Sequence, residues 1–76
     1  MVTDKQKEVL RFILGYQTEK SHSPTMDEIA NAIGKSTSAI RVRVYALIGK
    51  RMISHDIAKQ RHWEVTPLGE EAINDS

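Results

Sequence analysis

Seventy-six residues with ten acids, eleven lysines and arginines and a formal net charge of +1 leave room for one domain with a small core, since a chain of this size buries only about 60 per cent of its extended surface. The absence of cysteine excludes a disulfide framework and a cysteine-ligated zinc, and fits a reducing cytoplasm. No apolar run approaches the roughly 20 residues needed to cross a bilayer and the N-terminus carries no signal-peptide core, so a soluble, non-exported protein without a membrane partner is expected.

Thr3 with Gln6 forms a capping box that opens a long helix over Asp4–Lys20, with Val9, Leu10, Ile13 and Tyr16 on its inner face. Phe12 and Leu14 fall off that stripe, so the helix is apolar over a wide arc; Phe12 meets either the C-terminal segment of its own chain or a second subunit. The polar stretch from Lys20 to Pro24 is a loop, because Pro24 pushes Ser23 out of helical geometry, and His22 within it is expected in solvent without a metal role.

Thr25 and Glu28 make a second capping box, so a helix starts near Met26. Ile29, Ala30 and Ile33 fall at helical spacing, and Gly34 supplies the left-handed conformation that ends the helix. Ser36 caps the next helix, predicted over residues 37–50, in which Ile40, Val44, Leu47 and Ile48 make an inward stripe. Ser38, Arg41, Val42 and Tyr45 lie roughly opposite. Hydroxyls, a guanidinium and a methyl-bearing side chain on one helix face suit a major groove, where donors, acceptors and thymine methyls present themselves. Close helix packing explains the turn equally well, so an ordinary helical hairpin with a solvated face remains open.

Residues 53–57 and 62–66 read as paired strands with residues 58–61, including Lys59 and Arg61, at the tip. A three-residue loop would put Ile53, His55, Trp63 and Val65 on one face. Trp63 is then a large piece of the core, the alternative being a platform for an exposed base. Thr66 and Pro67 start a short closing helix whose Leu68, Ala72 and Ile73 are expected on the core, most naturally against the first helix, with residues 74–76 fraying.

The charge is unevenly spread. Between Lys35 and Arg61 seven basic residues face one acid, Asp56, while after Arg61 come four acids and no base. A basic middle between acidic ends is the footprint of a polyanion site, although a solvated mixed-charge surface would look the same. No glycine-rich phosphate loop, metal-ligand spacing or nucleophile grouping occurs, and His55 with His62 lack the third and fourth ligands that zinc requires, so neither an enzyme nor a metal or other cofactor is expected.

Three helices followed by a hairpin make a mainly α, winged helix-turn-helix order, with a three-helix core, a two-stranded wing and a short C-terminal helix. The residues also resemble the N-terminal DNA-binding domain of the LexA repressor family over nearly the whole chain. The likeness rests on Thr3, Gln6, Lys7, Glu8, Val9 and Leu10 with Phe12 and Ile13, on Pro24, Thr25, Glu28, Ile29, Ala30, Ile33 and Gly34, and on Ala46, Leu47, Lys50 and Ile53. It implies base-reading positions at Ser36, Ser38, Ala39, Arg41 and Val42. The family generally has one more residue between the turn glycine and the third helix, and acids where Arg41 and Val42 stand, so its operator sequence does not transfer. Full-length repressors also carry a self-cleaving serine/lysine protease domain; this sequence ends before one, so damage-triggered autocleavage is not implied.

The expectation is therefore a sequence-specific double-stranded DNA-binding regulator, a repressor of bacterial or phage type working in the cytoplasm at the nucleoid. Ser36, Thr37, Ser38, Ala39, Arg41, Val42 and Tyr45 would face the major groove, with Lys59 and Arg61 on backbone or minor groove. A homodimer is expected at least on DNA, because one small module buries only about 600–1,000 Å²; no small-molecule ligand is evident. The alternative is a protein-interaction winged helix, an antirepressor or assembly subunit, docking through Val42, Tyr45 and Gly49.

Overall fold

The computed structural model describes residues 2–20, 23–56 and 62–74. Helix α1 spans Asp4–Lys20, α2 Met26–Ile33 and α3 Thr37–Gly49, followed by strands β1 (Ile53–Asp56) and β2 (His62–Val65) and helix α4 (Pro67–Asn74). Both predicted capping boxes are formed. Thr3 and Gln6 exchange hydrogen bonds of 3.1 Å, and Thr25 and Glu28 do so at 2.9 and 3.0 Å. Gly34 takes φ 81° and its N–H donates to the Ala30 carbonyl, which ends α2.

The core gathers one stripe from each element: Val9, Leu10 and Ile13 of α1, Ile29 and Ala30 of α2, Ile40, Val44 and Leu47 of α3, and Ile53, Trp63 and Val65 of the hairpin. Phe12, Leu14, Ile33, Ile48 and Ile73 pack at its margin, partly buried, which matches the wide apolar arc of α1. Tyr16 is only half-buried, because its ring lies against Phe12 and its hydroxyl donates to Glu28 Oε2 at 2.6 Å, tying α1 to α2.

Two expectations need correction. Leu68 is 47% exposed rather than packed. The residue that α4 buries is Gly69, where a Cβ would meet the Met52 carbonyl oxygen and stand 2.8 Å from Val65 Cγ1, so a glycine is what lets the helix press onto the hairpin base. The helix predicted over residues 37–50 ends at Gly49, and Arg51 supplies the left-handed residue after it, at φ 63°, while the Arg51 N–H donates to Ile48 O and the Met52 N–H to Leu47 O, both at 3.0 Å. Those two bonds are the Schellman pattern, with an arginine where glycine is usual.

The hairpin is antiparallel, with Ile53 opposite Val65 and His55 opposite Trp63, so the expected four residues share a face. Its tip, with Lys59 and Arg61, lies outside the described residues, as do His22 and the last two positions. The outer edge of β2 is closed by side chains in place of a third strand. Ser23 Oγ accepts from the Trp63 N–H at 2.7 Å and donates to the Trp63 carbonyl at 2.6 Å, and Gln17 Oε1 accepts from the Val65 N–H at 3.0 Å. Because Trp63 turns both backbone groups outward, its pairing with His55 is of the close, non-hydrogen-bonded kind, and the two rings stack at 4.1 Å.

Ser23 is buried, so replacing it with alanine strands an N–H and a carbonyl on that edge. Ser23→Ala should cost about 1–3 kcal/mol in urea unfolding, whereas Ser54→Ala on the exposed strand should change stability by less than about 0.5 kcal/mol.

Candidate nucleic-acid interface

One side of α3 is fixed by burial, which decides what the other side presents. Ile40, Val44 and Leu47 are 0% exposed, while Val42 is 69% and Tyr45 54% exposed. Ser36, Ser38 and Arg41 are exposed as well, and Thr37 and Ala39 are half-buried. The arrangement brings Ser38, Arg41, Val42 and Tyr45 onto one outward face of a single helix, as their spacing requires.

The N-terminal end of that face is fastened twice. Ser36 Oγ accepts from the Ala39 N–H at 3.2 Å, and the Thr37 hydroxyl donates to Asp27 Oδ1 of α2 at 2.7 Å. Thr37 thus has its proton committed to holding the turn, and its role is to position α3. Asp27 was not foreseen as part of the site. Its partner lies ten residues on, across a turn whose geometry the sequence alone does not specify.

The basic residues divide in a way their numbers conceal. Lys50 Nζ donates to Gln6 Oε1 at 2.8 Å and ties the end of α3 to the start of α1. Arg43 is half-buried, and its Nη1 is buried without a hydrogen-bond partner among the described residues. Arg51 holds the left-handed turn, and its carbonyl accepts from the Thr66 hydroxyl at 2.7 Å. Lys35 and Arg41 stay exposed beside the turn and on the outward face. Lys59 and Arg61 belong to the tip outside the described residues.

Trp63 is 7% exposed and its ring is covered by His55, which closes off the reading of it as a stacking platform for an exposed base. Among the described residues no group of three or more His, Cys, Asp or Glu side chains is placed to hold a metal ion. Nor is any described helix long and apolar enough to cross a membrane.

The family model described as the LexA DNA binding domain matches residues 1–62. The chain belongs to the LexA DNA-binding domain family. A LexA repressor of Lactiplantibacillus plantarum is 43% identical over 70 residues, which cover 91% of this chain and 33% of that protein, so the chain spans about a third of the length of such relatives. Among solved structures, MepR, a transcription regulator of the Staphylococcus aureus multidrug efflux pump MepA, superposes with a TM-score of 0.80 at 18% identity, covering 97% of this chain and 53% of that one. A MepR–DNA complex from S. aureus superposes with a TM-score of 0.78 at 19% identity, again over 97% and 53% of the two chains. At such identities the two structures establish the fold, a winged helix-turn-helix. In this LexA-family chain the outward face of α3 carries Arg41 and Val42, both exposed.

Because the Asp27–Thr37 bond ties α2 to the start of α3, Asp27→Ala and Thr37→Val should each cost about 0.5–1.5 kcal/mol. A double-mutant cycle by chemical denaturation should find the two losses less than additive; full additivity would mean that the bond does not hold the turn.

Proposed function

We propose that this chain is a sequence-specific double-stranded DNA-binding module of a transcription regulator, a repressor by the name its relatives carry. In this reading α3 enters the major groove and Ser36, Ser38, Ala39, Arg41, Val42 and Tyr45 meet bases and backbone. The observation that carries the proposal is the two-sidedness of α3, with its inner stripe at 0% exposure and Val42 and Tyr45 at 69% and 54%. Apolar side chains left out on a helix beside an arginine and a serine have a natural counterpart in thymine methyls next to guanine acceptors. Lys59 and Arg61 at the wing tip serve as contacts to phosphate or the minor groove. Two copies on half-sites about one helical turn apart read an inverted repeat, since one module grips too little for tight specific binding. All 76 residues act as one such module, working in the cytoplasm, with no small-molecule ligand or cofactor and no catalytic role.

A second reading has an observation of its own: among the described residues Val42 and Tyr45 are two of the three large hydrophobic side chains left exposed, so the same face would suit a protein partner. Salt separates the two, because phosphate contacts make affinity fall steeply with ionic strength while apolar docking barely responds.

Arg41 is the base reader in this account, able to make a bidentate contact to guanine. With duplexes selected by the chain from a random library, Arg41→Ala should cost about 1–3 kcal/mol on the preferred sequence and much less on random DNA. Equal losses on both would reduce Arg41 to a phosphate contact, and failure of the selection to enrich any sequence would overturn specific recognition.

A further inference from the structure

Each residue of a helix turns the chain by about 100°, so Arg41 and Arg43 diverge to opposite sides of Val42, which points outward at 69% exposure. What each flank of α3 touches identifies it. Thr37, one turn before Arg41, bonds Asp27 of α2, whereas Lys50, two turns beyond Arg43, bonds Gln6 at the start of α1. A major groove is about 12 Å wide and a helix with its side chains about 10–12 Å across, so a helix seated there has a wall of phosphates close to each flank. By spacing alone the two arginines are equivalent.

Their surroundings set them apart. Arg41 is exposed, whereas Arg43 is half-buried and its Nη1 lies inside the fold with no hydrogen-bond partner among the described residues. Among those residues it is the one buried side-chain polar atom left unsatisfied. A guanidinium carries five N–H donors, accepts nothing and keeps its charge, so burying one of its nitrogens without an acceptor lowers the stability of the free chain. An unmet donor of this kind needs an explanation, and a partner arriving from outside the chain supplies one. That partner has to be an anion that can reach the α1 side of α3.

We propose that Arg43 is a phosphate clamp held in reserve, its guanidinium drawn in against the fold in the free chain and swung out to the groove wall on the α1 side when α3 takes a duplex. The proposal rests on the DNA-binding reading above and adds a residue and a motion to it. The swing breaks no hydrogen bond at Nη1, and the contact it makes with a phosphate oxygen is charge-assisted. Phosphates are the same on every sequence, so Arg43 adds affinity and fixes the seat of α3 without choosing a site, while Arg41 on the other flank reads bases.

Arg43→Met keeps a long apolar stem and removes both the donors and the charge, so it separates the two halves of the proposal. Thermal unfolding reads the first half. The second is read by fluorescence anisotropy at several salt concentrations, with a duplex the chain selects from a random library and a random-sequence duplex of the same length. Arg43→Met should melt a few degrees higher than the wild-type chain, because the unsatisfied donor is gone. It should nevertheless bind both duplexes at least about threefold more weakly, with the slope of log affinity against log salt smaller by about one. Arg43→Lys, which keeps a cation, should retain the wild-type slope. A lower melting temperature for Arg43→Met overturns the proposal by making Arg43 a structural residue, and an unchanged slope overturns it by placing Arg43 off the DNA. A loss confined to the selected duplex overturns it as well, since Arg43 would then read bases. In each of these cases the wild-type chain still binds DNA and that reading stands; a wild-type chain that binds neither duplex, or binds both indifferently to salt, overturns the DNA-binding reading itself.

Discussion

Burial of Ile40, Val44 and Leu47 is the constraint on which the rest depends. Each of these side chains contributes about 1.5–3 kcal/mol by leaving water, and a small domain's whole stability is about 5–15 kcal/mol. Rolling α3 far enough to hide Val42 or Tyr45 would expose that stripe, so the helix has no stable alternative orientation. The outward face is therefore a consequence of the core, and its chemistry was left to be set by what it meets.

Around that helix the fold relies on side chains that cross from one element to the next. Glu28 takes the Thr25 N–H with one carboxylate oxygen and the Tyr16 hydroxyl with the other, so one residue starts α2 and anchors it to α1. Asp27 then holds Thr37, and Lys50 returns the far end of α3 to Gln6. Ser23 and Gln17 occupy the edge of β2 that would otherwise offer unpaired backbone groups to another strand. In a chain with so small a core, these polar links set the relative placement of helices that apolar contact alone leaves free to slide.

The parts legible in the sequence are those governed by local rules. Capping boxes, the turn at Gly34, the inward stripe of α3 and the strand register through Ile53, His55, Trp63 and Val65 follow from spacing within a few residues. What escaped the sequence depends on distance. Ser23 meets Trp63 forty residues away, and nothing near Ser23 announces it. After α3 it is Arg51 that carries the positive φ, at a position where glycine is usual and nothing in the local sequence marks an arginine. Leu68 looked like a core residue by composition, but the close seat of Gly69 on Met52 turns α4 so that Leu68 faces out. Of the candidate site, the face Ser38, Arg41, Val42 and Tyr45 was readable from periodicity, whereas the fastening of Thr37 to Asp27 was not.

The outward face of α3, with Val42 and Tyr45, is the surface to which the account assigns DNA. Backbone amide shifts followed by nuclear magnetic resonance during titration with a selected duplex, at protein concentrations below pairing, test that assignment directly. The account predicts the largest changes at Ser38, Arg41, Val42 and Tyr45, with Phe12, Gly15 and Glu19 nearly still. Changes concentrated on α1, with α3 unmoved, would contradict it.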